Sequence, residues 1–314
     1  MKKVSTAMRI ASGAGALVLC AAGLPLLPAS AQLADPTDQA PPQDIAVNLN
    51  ITPKRLILNK GNRSGTVYIF NQGSVPATFE ISLVERVMLP SGEIKPLAEA
   101  RTEPGLQPIV DNLASAQSLL VATPRRVSLA PGKGQTIRIR STPPADAARE
   151  YRTHLTVTTV PPRDAGVTAD QAQAGASGQL SFRITSVFGL SIPVIVRPGP
   201  TDVRGAIEDV RIAYADISPD GVSSPVRTPV MRFELRRIGA SSLFGNVEVQ
   251  GARGKDSNAL SLARGIGVYP EISRRSIQIP LRRVPGRGEQ LEIVFTDDDS
   301  SPGRVIARST FTTS

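Results

Sequence analysis

The chain carries one histidine and one cysteine, which removes most metal and nucleophile chemistry before any fold is drawn. Zinc and copper sites need several His or Cys ligands. His154 stands alone, on the polar side of an alternating segment, with no neighbouring carboxylate to orient it as a base, and reads as a surface residue. Pro131-Gly132-Lys133-Gly134-Gln135-Thr136 has a lysine between glycines, as phosphate loops do. It lacks the leading glycine at the required spacing and a helix to follow, so it reads as a hairpin turn. Asp297-Asp298-Asp299 offers three carboxylates, but a calcium loop alternates its ligands and closes on a glutamate; a solvated turn is expected. Arg125-Arg126, Arg236-Arg237, Arg274-Arg275 and Arg282-Arg283 are separated pairs, and aromatics for base stacking amount to only 4%. Nucleic acid is therefore not an expected partner, and the pairs read as edge charges that deter sheet-to-sheet association. No catalytic residue, metal or cofactor is expected. The chain reads as a binder, not an enzyme.

The elements that must position any binding surface are strands. Before them, Lys2, Lys3 and Arg9 precede an apolar run at 10–27 and small residues at 28–31, the layout of a secretory signal peptide over residues 1–31. Gly13, Gly15, Gly23, Pro25 and Pro28 interrupt the run, so the mature chain is not expected to insert in a membrane. Cleavage after Ala31 removes Cys20 and leaves no disulfide. Residues 32–46, polar with three prolines, read as a disordered arm. Strands are then expected at 48–58, 65–71 and 77–83, in a hairpin of 126–129 with 135–140, and at 151–160. Residues 89–116 read as an excursion with little regular structure, and 163–178 as a flexible loop. Leu180, Phe182, Ile184, Phe188, Leu190, Ile192, Val194 and Val196 then alternate with mostly small or polar residues. At ~3.3 Å per residue this run reaches roughly 55 Å, about three ordinary strands, so part of it should be an unpaired edge. A second block of short strands, at 207–214, 230–237, 246–250, 276–281, 290–295 and 305–311, completes an all-β chain of two antiparallel sandwiches.

In order along the chain, several motifs resemble the periplasmic pilus (fimbrial) assembly chaperones. They are Thr52-Pro53-Lys54-Arg55-Leu56-Ile57 with a second strand ending at Asn71, and Leu129-Ala130-Pro131-Gly132 before Ile137-Arg138-Ile139. Arg149-Glu150-Tyr151 with Val160-Pro161-Pro162, and Val194-Ile195-Val196-Arg197-Pro198, follow. Arg236-Arg237-Ile238-Gly239 and Phe244-Gly245 complete the series. The resemblance implies two immunoglobulin-like domains in a boomerang, here 47–198 and 199–314, in a protein of the periplasm. It implies an ATP-independent chaperone that lends an edge strand to pilus subunits and passes them to an outer-membrane usher. On that resemblance Leu180, Phe182, Ile184 and Phe188 are the lent side chains. Arg55 matches an arginine that anchors the subunit's terminal carboxylate. The accompanying lysine falls on Pro193. Glu150, Arg197 and Asp297 match an interdomain charge cluster with a structural role. A secreted two-domain adhesin or structural binding module, acting through loops, is the alternative.

Overall fold

Alternation of apolar and polar side chains builds nearly every element of the chain, whose structure, a computed structural model, describes residues 48–145, 147–161, 187–251 and 259–313. The signal peptide, the arm at 32–46, the 163–178 loop, and Leu180, Phe182 and Ile184 lie outside the described residues. Among the described residues no helix is long and apolar enough to cross a membrane.

The first sandwich has a four-stranded and a five-stranded sheet. In the first, β1 (Leu49–Thr52), β3 (Ser64–Asn71), β9 (Gly134–Ser141) and β7 (Leu120–Thr123) lie in that order. In the second the order is β2 (Leu56–Asn59), β11 (Gly189–Arg197), β10 (Tyr151–Val160), β4 (Ala77–Val84) and β8 (Arg126–Leu129). Val67 and Ile69 of β3, Phe79 and Ile81 of β4, and Ile137 and Ile139 of β9 face one another as the core, while their polar neighbours Thr66, Glu80 and Arg138 face out.

Two sequence expectations are corrected here. The expected strand at 48–58 is two strands in different sheets, because the chain bends between Thr52 and Leu56 and β2 runs parallel to β11. The expected hairpin of 126–129 with 135–140 does not form. β8 pairs with β4 and β9 with β3, so the Pro-Gly turn carries the chain from one sheet to the other.

The second sandwich pairs β12 (Gly205–Ile217), β13 (Val226–Arg237) and β16 (Arg274–Pro280) against β15 (Ser261–Val268), β14 (Leu243–Gly251), β17 (Gln290–Asp297) and β18 (Val305–Thr312). Two glycines of the sequence motifs are required by close backbone approach. A Cβ on Gly245 would lie 1.9 Å from the Thr296 carbonyl oxygen, and one on Gly239 2.1 Å from that of Asp202. β15 was not anticipated, since Ser261-Leu262-Ala263-Arg264-Gly265 has little apolar alternation and is held as a strand by β14.

The excursion at 89–116 is also corrected, because it is folded. β5 (Arg86–Met88) and β6 (Ile94–Pro96) form a hairpin, followed by α1 (Leu97–Ala100) and α2 (Gln107–Asn112). Val87, Leu97 and Ala100 are buried together, with Leu106, Ile109, Val110 and Leu113 packed on them. Met88 lies in the core of the second sandwich, where Ile94 and Ile109 also pack. The segment is thus a wedge tied to both sandwiches, which belong to one compact unit spanning Asp44–Ser314. Its individual elements are too short for periodicity to reveal.

Candidate functional site

β11 changes character along its length. On its core-facing side Val196, Val194 and Ile192 are 1%, 0% and 4% exposed, while Leu190 is 38% and Phe188 52% exposed. Val187 is also exposed. One edge of the strand pairs with β10 throughout, from Tyr151↔Val196 to Thr158↔Gly189. Thr159 extends this by one step, since its N–H donates to the Phe188 carbonyl (2.8 Å) and its Oγ1 accepts from the Phe188 N–H (2.9 Å). The other edge is covered by β2 only from Val194 to Arg197. Among the described residues no strand pairs with that edge at 187–193. A backbone ladder is therefore open beside exposed apolar side chains, which is the arrangement that accepts a strand from another chain.

The far end of β11 is held by charge. Arg197 Nε donates to Glu150 Oε2 (2.6 Å), and its Nη2 donates to Asp299 Oδ2 (2.7 Å) and to Ser242 Oγ (3.0 Å). Burial alone would lower the Arg197 pKa, but Glu150 and Asp299 more than offset it and raise the value above that of a free guanidinium. Asp297, expected in this cluster, does not reach it. Its carboxylate instead accepts from the Asp299 and Ser301 N–H groups and the Ser300 hydroxyl, shaping the loop that presents Asp299. The triple-aspartate segment opens the turn that joins β17 to β18, with Asp298 exposed as expected, but Asp297 is buried and the Asp299 side chain is 1% exposed. Adjacent aspartates are indistinguishable by spacing, so only the loop geometry separates the cap from the ion-pair partner.

Arg55 joins the same cluster. Its Nη2 donates to Asp299 Oδ2 (3.0 Å) and Ser242 Oγ (3.2 Å), and its guanidinium lies 4.5 Å from the Phe244 ring centroid. The expected carboxylate anchor thus already holds a carboxylate, that of Asp299. Pro193 sits one step from Arg55 in the sheet and opposite His154.

A second buried group lies on the outer side of β10. The Arg152 guanidinium pairs with Glu271, donates to the Arg86 carbonyl (2.8 Å) and stacks 4.2 Å from the Tyr269 ring centroid. Glu271 also accepts from the Met88 N–H (2.8 Å), so the wedge, the first sandwich and the second meet at one carboxylate. His154 is 3% exposed beside Arg152, which corrects the expected surface histidine. Burial, then Arg152 and Arg86, lower its pKa to about 2 and keep it neutral. Residues 152–157 are buried on both faces because the core covers one side and added cover the other. Alternation cannot report such cover, so Arg152, Glu271, Tyr269, Ser242 and Asp299 had no signal in the sequence.

Residues 91–201 match the family model described as pili and flagellar-assembly chaperone, PapD N-terminal domain. The matched stretch contains Glu150, Arg197 and all of β11, and it excludes Arg55 and Asp299. No curated protein matches the chain in sequence. Among solved structures, the Pseudomonas aeruginosa CupB2 chaperone is similar at 13% identity and a TM-score of 0.40, covering 84% of this chain and 99% of that one. The E. coli chaperone DraB gives 13% identity and a TM-score of 0.39, covering 85% and 96%. A chain of the Salmonella enterica SafA pilin–SafB chaperone complex gives 12% and 0.39, covering 84% and 96%.

Proposed function

We propose that this chain, whose residues 91–201 match the pili and flagellar-assembly chaperone model, stabilises pilus subunits in the periplasm by lending them the free edge of β11. The observation that carries this reading is the coincidence, at 187–193, of an unpaired backbone edge with exposed Val187, Phe188 and Leu190. A subunit whose own sandwich lacks a strand gains main-chain hydrogen bonds from that edge and apolar side chains for its open groove. Beyond Ser186, which breaks the set, the sequence resumes the same alternation upstream at Ile184, Phe182 and Leu180. Thr159 fixes the backbone of Phe188 where β11 leaves its core, so the lent segment starts from a set position.

The reading needs neither ATP nor a metal. It takes residues 1–31 as a cleaved signal peptide, 47–198 as the chaperone domain, 199–314 as the second sandwich, and an outer-membrane usher as the receiver of the captured subunit. A subunit's terminal carboxylate reaches Arg55 by exchange with Asp299, because both compete for the same Nη2 group.

The test is co-expression of the chain with the subunits encoded beside it. Phe188→Asp is expected to abolish co-purification of the subunit while leaving far-UV circular dichroism unchanged. Undiminished capture by this variant would remove Phe188 and the free edge from the function.

A further inference from the structure

The free edge ends in a residue that has no N–H. In an antiparallel ladder successive residues turn their backbone groups alternately to the two neighbours. Phe188 faces β10, because its carbonyl accepts from the Thr159 N–H. By alternation Leu190, Ile192 and Val194 face β10 as well, whereas Gly189, Ser191 and Pro193 face the open edge. From Val194 onward that side belongs to β2. The outward groups between Phe188 and β2 are therefore three carbonyls but only two N–H donors.

We propose that Pro193 is a register stop, a specificity-determining residue that ends the ladder β11 offers to an added strand. This rests on the lent-strand reading above. Proline removes a ladder donor and puts ring bulk where a partner carbonyl would approach, which is why sheets tolerate it only on an open edge. At residue 190 or 192 it would have broken the ladder with β10; at 193 it interferes with nothing inside the molecule. A strand entering from the loop side pairs at Gly189 and Ser191 and is halted by the Pro193 ring and the start of β2. A slip of two residues toward β2 then has no donor to meet. A slip of one residue reverses which side chains face Phe188 and Leu190. The captured strand is thereby set in place by shape and a missing donor, beside an Arg55 already engaged by Asp299.

Amide hydrogen exchange read by NMR on the isotope-labelled full chain tests this. The probe is a synthetic, end-capped nonapeptide of alternating valine and threonine with one added lysine. In the unaltered chain the peptide is expected to slow exchange at Gly189 and Ser191 by about tenfold or more. Pro193→Ala restores a donor, so a third slowed amide at 193 and binding about fivefold tighter are expected. Ser191→Pro moves the stop by two residues, leaving only Gly189 slowed and binding about fivefold weaker. Neither change removes a backbone bond to β10, though Ser191→Pro gives up the hydroxyl contact with Thr156 (2.9 Å), and circular dichroism checks that both variants fold. If Pro193→Ala leaves affinity unchanged and its new amide exposed while Gly189 and Ser191 stay slowed, the stop is wrong and the edge survives. If the peptide slows neither Gly189 nor Ser191 in the unaltered chain, or does not bind, the edge reading itself falls.

Discussion

The two halves of β11 share one alternating sequence and do opposite things. From Val194 to Arg197 the strand is locked on every side. β10 and β2 flank it, Val194 and Val196 fill the first core, Ile195 fills the second, and Arg197 is held by two buried carboxylates. At 187–193, among the described residues, β10 is the only strand that pairs with it; Ile192 still packs in the first core, but Val187, Phe188 and Leu190 reach solvent. An apolar alternation states that a strand has something to bury, not where the cover comes from. In the locked half the cover is internal; in the free half it must come from elsewhere. A strand so exposed is an aggregation hazard unless its other end is rigid, and the buried charges of the locked half supply the rigidity.

Three experiments bear on this contrast, from the largest expected effect to the smallest. Arg197→Ala strikes the locked half, leaving Glu150 a buried carboxylate without its ion-pair partner and Asp299 with Arg55 alone. Loss of such a partner costs about 3–5 kcal/mol, which urea denaturation would report as a lower midpoint. A loss below about 1 kcal/mol would mean that the cluster does not hold the strand. Lowering the pH strikes the boundary between the halves, at His154 opposite Pro193. Above pH 6.5 the histidine is neutral whether folded or unfolded. Below it the unfolded chain takes up a proton that the folded chain refuses down to about pH 2. Stability from this group therefore falls with pH by up to about 1.4 kcal/mol per unit, roughly 2 kcal/mol between pH 6.5 and 5. His154→Gln should flatten that part of the curve, and an equal slope in both proteins would show that His154 is not the cause. The smallest effect on stability is expected from Phe188→Ser with Leu190→Ser in the free half. Exposed side chains away from caps and pairs are worth within about 0.5 kcal/mol, so the melting temperature should hardly move. A loss of several kcal/mol would show that the free half supports its own fold.

Much of the fold was legible because half-covered strands advertise themselves. β3, β4, β9, β14 and β17 could be placed from alternation alone, and the turn residues separated them. What escaped reading was double cover. β10 carries Arg152 and His154 on a side that looks solvated in sequence and is roofed by the wedge and by Tyr269 and Glu271 in space. The cluster around Arg197 was half legible. The motifs flanking Glu150 and Arg197 point to both, whereas three identical neighbours give no phase to tell Asp297 from Asp299, the residue that joins the cluster. The free edge was anticipated from an apolar run too long for one sandwich to pair. Its position is set by β2, whose pairing with β11 reaches no further than Val194. Pro193, first met as the place of a lysine, gained its meaning from backbone direction, which side-chain types do not encode.

The sharing of carboxylates between sandwiches also governs how the molecule can be divided. Arg55, Arg152 and Arg197 belong to the first sandwich, yet Asp299 and Glu271, which neutralise them, come from the second. A ribosome that has released the first 201 residues has made the whole first sandwich, yet Arg55 and Arg152 still lack their acids and Arg197 has only Glu150. The finished sandwich must wait for the distant acids to emerge. For anyone wishing to express that domain as a fragment, the boundary drawn by homology is thus a poor place to cut, unless those arginines are exchanged for neutral side chains of similar bulk.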